Sequence, residues 1–302
     1  MNYISRNLKY IAAAFVATAI SFTAATAFGQ ETKSKDKEKT EKVRSEYKSE
    51  KSFCGDNNWS NGERVSFSDL REMTVASTGT VNVDAGPNGG ISVKGEDRGD
   101  VLVRACVQAW GTSADEAKAA AAGIKINTSG QIKADGPAGD KNWSVSYQIL
   151  VPRATNTSLK AHNGGISLSG VDGNAEFETQ NGGVNVSNVS GNVKGRTSNG
   201  GVNVTLAGTS WKGSGLDIET KNGGVNLTIP ENYAANVETG TVNGGFKSDI
   251  PSLNVTTENI VGSDSRSRAR RINTSLNGGG APLRVVTTNG GVKINAADSV
   301  KW

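Results

Sequence analysis

The sequence predicts a mainly β protein, a solenoid-like stack of short strands carrying one short inserted helix. Three observations lead there. Glycine makes up 38 of 302 residues and 28 Val stand against 12 Leu, so the 35% apolar content rests on small and β-branched side chains, which suit strands. Asn-Gly-Gly recurs eight times, beginning at Asn88, Asn163, Asn181, Asn199, Asn222, Asn243, Asn277 and Asn289, with steps of 18, 18, 23, 21, 34 and 12 residues after Asn163. A period near 20 is the mark of stacked repeats. Between those turns apolar and polar residues alternate, as in NGGVNVSNVSGNVKGRTS (181–198). A helical bundle is excluded, and so is collagen, because Gly has no three-residue period and there are only 6 Pro.

The chain opens on a secretory signal over 1–27. Arg6 and Lys9 form a basic start, an apolar run follows from Tyr10 to Ile20, and Ala25-Thr26-Ala27 offers a cleavage site, with cleavage after Gly29 as the other choice. The run is too short and too rich in Thr and Ser for a membrane span, so no stable span is expected after cleavage. Removing Arg6 and Lys9 leaves 31 basic against 29 acidic residues. A nearly neutral mature chain gives no ground for nucleic-acid binding. Residues 28–52 read as a charged linker: 31–51 hold eight Lys/Arg and six Asp/Glu in 21 positions, with Val43 and Tyr47 the only large apolar side chains. Such a segment cannot bury enough surface to offset its ordering entropy.

The rest, 53–302, is expected to be a β-repeat domain, with a helix-bearing part over 53–152 and regular coils over 153–302. Cys54 and Cys106 are the only cysteines. In an exported chain they are expected to form one bridge closing a loop of 52 residues, a staple of roughly 4 kcal/mol in the chain-entropy model. Two buried thiols are the alternative. DVLVRACVQAW (100–110) alternates as a strand. A helix over about 113–122 follows, with Ser113 and Glu116 as a capping box and Gly123 as its stop. Strand pattern returns over 123–134 and 142–152.

At the Asn-Gly-Gly turns, Asn and Gly are the residues that tolerate positive φ. Asn side chains at equivalent places in successive coils could also hydrogen-bond as a ladder. Asn-Gly between alternating runs is equally a hairpin signal, so an antiparallel meander stands as the alternative topology.

From about Val65 to Trp302 the sequence resembles the bacterial exported β-strand-repeat domains grouped as "putative adhesins", most of them without an assigned function. The resemblance lies in NWSVSYQILVPRAT (142–155), the ordered series of N-G-G-[IV] coils and NGGG-x-P-L-x-V-x-T-T-N-G-G-V-K-I (277–294). It implies a right-handed β-solenoid-like stack and an envelope or surface location, and it carries over no catalytic residues.

Candidate chemistry is sparse, and no cofactor is expected. His162, the only histidine, precedes the first regular coil and reads as a surface turn residue. Glu176 and Glu178 lie on one strand face, about 7 Å apart from the strand rise, a spacing compatible with an inverting glycosidase; with no supporting cluster of aromatics or Arg nearby in the sequence, they read as two solvated carboxylates. Calcium-binding repeats would need a carboxylate in each turn, and the coils offer Asn and Ser. Arg266, Arg268, Arg270 and Arg271 form the one concentrated basic patch, a candidate for anionic polymer or a plain connecting loop. Trp59, Trp110, Trp143, Trp211 and Trp302 could stack on sugars or cover the ends of a small-residue core.

The expected function is therefore a non-catalytic adhesive or structural role in the periplasm or at the cell surface. The partner would be an envelope polymer, glycan or surface protein. An envelope-stress sensing protein and a polysaccharide-degrading solenoid enzyme are the alternatives.

Overall fold

Alternation along each short strand decides the architecture. In AEFET, Ala175, Phe177 and Thr179 are buried while Glu176 and Glu178 are exposed. In VNVS, Val184 and Val186 are buried and Asn185 is exposed. A period of two gives each strand one apolar face, and two sheets enclose one continuous core. The computed structural model describes residues 53–55, 64–137, 142–250, 253, 256–259 and 268–297. The signal over 1–27, the charged segment 28–52, Trp59, Arg266 and Trp302 lie outside them.

The first sheet runs in the order β1 (Val65–Ala76), β4 (Asp100–Gly111), β7 (Trp143–Pro152), β3 (Ile91–Glu96), β9 (Ile166–Ser169), β11 (Val184–Ser187), β13 (Val202–Thr205), β15 (Val225–Pro230), β21 (Val292–Ala297), β17 (Phe246–Ser248). The second runs β18 (Thr256–Asn259), β19 (Arg268–Leu276), β16 (Ala235–Asn243), β20 (Pro282–Asn289), β14 (Gly215–Asn222), β12 (Asn192–Asn199), β10 (Ala175–Thr179), β8 (Asn156–Ala161), β2 (Thr80–Asp84), β6 (Gln131–Asp135), β5 (Lys125–Asn127).

In the central layers all pairing is parallel. Ala175 stands opposite Thr157 and Val193, and Val184 opposite Ile166 and Val202, each partner 18 residues away. That register selects the solenoid-like stack over the meander. Antiparallel pairing is kept for the ends: β1, β4 and β7 close the first sheet, β5 folds back on β6, and β19 and β18 run beside β16. These strands cover the coil edges that a stack of repeats would otherwise expose.

The layers do not follow chain order throughout. The last coil, β20 and β21, slides between the layer of β14 and β15 and the layer of β16 and β17. The sequence steps suggest simple succession; the inserted layer instead sets Arg284 in register between Asp217 and Glu238.

The turn glycines answer to a different constraint from the expected one. No Asn-Gly-Gly residue of the regular coils has positive φ. Their first glycines are needed because layers touch there: a Cβ on Gly182 would lie 2.1 Å from the Gly164 carbonyl oxygen, and one on Gly200 2.0 Å from that of Gly182. Among the Asn-Gly-Gly tripeptides only the one at Asn277 (φ 47°), with Gly278 to Gly280 (φ 91°, 82° and 159°), has positive φ. They form the turn from β19 to β20, where the Asn277 amide donates to the Glu231 and Tyr233 carbonyls at 2.9 Å each. Asn277 is therefore not a coil turn.

Helix α1 spans Ala114–Gly123. The Ser113 hydroxyl accepts from the Glu116 amide at 3.2 Å, and the Glu116 carboxylate accepts from the Thr112 amide and hydroxyl at 2.7 and 2.6 Å. Those donors hold the Glu116 carboxyl below its ordinary range. Its stop is not a left-handed Gly123. Ile124 turns extended, with φ −82° and ψ 130°, and Arg71 of β1 donates to the Ala121 and Ile124 carbonyls, a cation at the negative helix end. Ala117 and Ala121 pack down on the sheet. Cys54 and Cys106 are disulfide-bonded, Cα atoms 5.3 Å apart, tying the start of the described chain to β4.

Candidate functional site

Each regular turn begins with an exposed Asn, and the parallel register stacks these residues in one line. Asn163 donates to the Asn88 side-chain carbonyl at 3.0 Å. Asn181 then reaches Asn163, Asn199 reaches Asn181, Asn222 reaches Asn199, Asn289 reaches Asn222 and Asn243 reaches Asn289, all at 2.7–2.8 Å. Two residues before the turns at Asn181, Asn199, Asn222, Asn289 and Asn243 stands a buried threonine, where Asn163 has Ala161 and Asn88 has Gly86. Thr179, Thr197, Thr220, Thr287 and Thr241 donate to the first glycine carbonyl of the adjoining layer, at 2.7–2.8 Å. The working motif is thus T-x-N-G-G. The threonine was legible in the sequence but shows its meaning only when the coils are aligned by layer.

The outer face of the first sheet carries a row of small polar groups. In register these are Ser92, Ser167, Asn185, Asn203, Asn226, Lys293 and Lys247. Asn203 donates to Asn185 at 2.9 Å and Asn226 to Asn203 at 2.8 Å. The amide line ends on two exposed lysines set directly opposite each other, a like-charge pair that costs stability in a sheet.

The outer face of the second sheet is charged, and its signs alternate. One row reads Glu176, Lys194, Asp217, Arg284, Glu238; the next reads Asp84, Lys160, Glu178, Arg196, Glu219. Glu176 and Glu178 are thus members of two charge rows, each flanked by a cation. Arg284 lies 2.7 Å from Asp217 and 3.6 Å from both Glu219 and Glu238. Burial pulls its guanidinium pKa down, but the Asp217 hydrogen bond and the three carboxylates outweigh that and raise it.

The second row breaks where Val286 and Gly240 follow Glu219, before Arg271 of β19. Two positions without charge leave a groove of about 440 Å³ over β14, β20 and β16. Val286, Gly240 and Val242 make its floor. Arg196, Lys221, Arg271 and Arg284 stand at its walls with Glu219 and Glu238.

The remaining sequence candidates scatter. His162 is exposed just before Asn163, and its carbonyl accepts from the Asn181 amide at 2.7 Å. Of the arginine patch, Arg268, Arg270 and Arg271 belong to strand β19 rather than a loop, and Arg270 donates to the Gly244 carbonyl at 2.9 Å. Trp211 is buried, its indole N–H on the Gly191 carbonyl at 3.0 Å, and half-buried Trp143 packs on the core. Neither offers an open stacking platform. Among the described residues no group of three His, Cys, Asp or Glu side chains could hold a metal ion, and no helix is long and apolar enough to cross a membrane.

The family model Toastrack DUF4097 matches residues 18–295. The chain belongs to this family. A search of curated proteins gives no match. Among solved structures, the Toastrack chain is similar to a "putative cell adhesion protein" from Clostridium sporogenes (12% identity, 76% of this chain and 100% of the other, TM-score 0.37). It is similar also to a "putative adhesin" from Bacteroides fragilis (11%, 76% and 97%, 0.35) and a "putative lipid binding protein" from Parabacteroides distasonis (11%, 78% and 98%, 0.25). The three names differ and the likenesses of this Toastrack chain to them are remote.

Proposed function

We propose that this Toastrack protein is exported and acts without catalysis, as an adhesin-like envelope protein whose first sheet lies along a polysaccharide. The observation that supports this best is the line Asn185, Asn203 and Asn226, which runs into Lys293 and Lys247 on one outer face. Amides locked to one another leave their remaining donors and acceptors pre-oriented, so little ordering entropy is lost on contact. Strands recur at about 4.8 Å, and each layer repeats the same shallow contact, so affinity comes from summation along a polymer. The opposed lysines meet their like-charge cost when an anionic group sits between them. The signal over 1–27 supplies the address, and the charged segment 28–52 the spacer from the envelope.

The test is retention of purified mature protein on whole cells, on peptidoglycan and on polysaccharide arrays. Retention that weakens in the Lys247→Gln, Lys293→Gln double variant is expected. Absence of retention on all three overturns the reading.

A further inference from the structure

The groove on the second sheet calls for a more specific ligand. It interrupts a charge row that is otherwise filled at every layer, and Val286 and Gly240 are the residues that open it. Its volume, about 440 Å³, falls within the range of small-molecule sites. Its charges are unevenly used. Arg284 is engaged by Asp217, Glu219 and Glu238, which occupies both carboxylates of the groove. Among the described residues Arg196 and Lys221, also on the walls, are in no ion pair. The site thus holds unspent positive charge beside two carboxylates that can still accept hydrogen bonds, above an apolar floor of Val286 and Val242.

We propose that this groove binds one acidic sugar residue, a pyranose bearing a single carboxylate. An apolar floor suits the C–H face of a sugar ring. Glu219 and Glu238 accept from its hydroxyls, and Thr288 and Ser198 line the same cavity. Arg196 and Lys221 take the carboxylate. A phosphate, with nearly twice the charge at neutral pH, would meet more repulsion from the two glutamates. A neutral sugar would leave the cations without a partner. This site is separate from the amide face of the first sheet, and it sits on β12, β14, β20 and β16, which pair in parallel register.

Calorimetric titration of the mature protein with tri-galacturonic acid tests it, beside the methyl ester of that trimer, tri-N-acetylchitotriose and glucose 6-phosphate. Saturable binding of the acid is expected. The ester should bind about tenfold more weakly or worse, since it loses a charge-assisted hydrogen bond, and the neutral trimer should not bind. Val286→Trp fills the groove from an outward strand position and should abolish binding with the thermal midpoint unchanged. Arg196→Gln with Lys221→Gln should weaken the acid and leave the ester unaffected. Lys293→Gln, on the other sheet, should change nothing. No saturable binding of the acid overturns the site, as does binding that survives Val286→Trp. Equal affinity for acid and ester overturns the carboxylate, and tighter binding of glucose 6-phosphate replaces it with a phosphate. If polymers retain the protein while the trimer fails, only the groove falls; if the trimer binds and no polymer does, only the adhesive reading falls.

Discussion

At the residue scale the repeat is defined by closeness between layers. The first turn glycine has no room for a side chain, whereas the second has more: a Cβ on Gly182 would meet the Gly164 oxygen at 2.1 Å, and one on Gly183 would meet the Gly201 oxygen at 3.4 Å. Both residues have ordinary backbone angles, so conformational strain does not separate them. Gly182→Ala is therefore expected to cost about 1–3 kcal/mol or more by overpacking, and Gly183→Ala less than about 1 kcal/mol, read from urea unfolding midpoints. If the two cost the same, layer contact is not what selects glycine. Thr197 gives a matching test from inside the core. Its hydroxyl donates to the Gly182 carbonyl at 2.8 Å, and Thr197→Val keeps the shape but strands that oxygen, for a loss of about 1–3 kcal/mol.

At the element scale, strands were readable from the sequence because alternation is local. The helix was readable because its start is spelled out in Ser113 and Glu116. Its end, at Gly123, was also readable, but not what closes it, since Arg71 comes from β1 and no helix residue announces it. The same division separates Asn277 from the other turns. The tripeptide is identical, but it carries the chain from β19 across β16 to β20 on the other side, and its amide goes to the backbone of Glu231 and Tyr233. The groove was illegible for a related reason: Val286 and Gly240 lie 46 residues apart in the chain and meet only through register. The helix start carries a pH dependence. The Glu116 carboxyl is held below the ordinary carboxylate range by the Thr112 donors, so the folded pKa lies under the unfolded one. Its contribution is present above the unfolded value and is lost as pH falls through the folded one. A Glu116→Gln variant should melt lower than the parent at neutral pH and converge with it in acid, as followed by circular dichroism.

At the scale of the whole molecule, layer order is the property that the linear repeat does not determine. Placed by chain order, β16 would lie against β14, bringing Glu238 to the place opposite Asp217. The inserted β20 puts Arg284 between them. The cation is half shielded and bound by three carboxylates, and removing one member of such a set leaves the others unpaired at a cost of several kcal/mol where burial is complete, less at this partly exposed site. Arg284→Glu would set a fourth acid among three. In stacked repeats each layer depends on its neighbours alone, so the damage should stay local. Amides of β16, β19 and β20 should lose hydrogen-exchange protection while those of β8 to β13 keep theirs. Adding Glu238→Arg restores opposite signs across one of the two interfaces and should return part of the protection to β16. Uniform loss of protection along the stack would mean that the layers unfold together, and that Arg284 contributes to global stability rather than to the order of the coils.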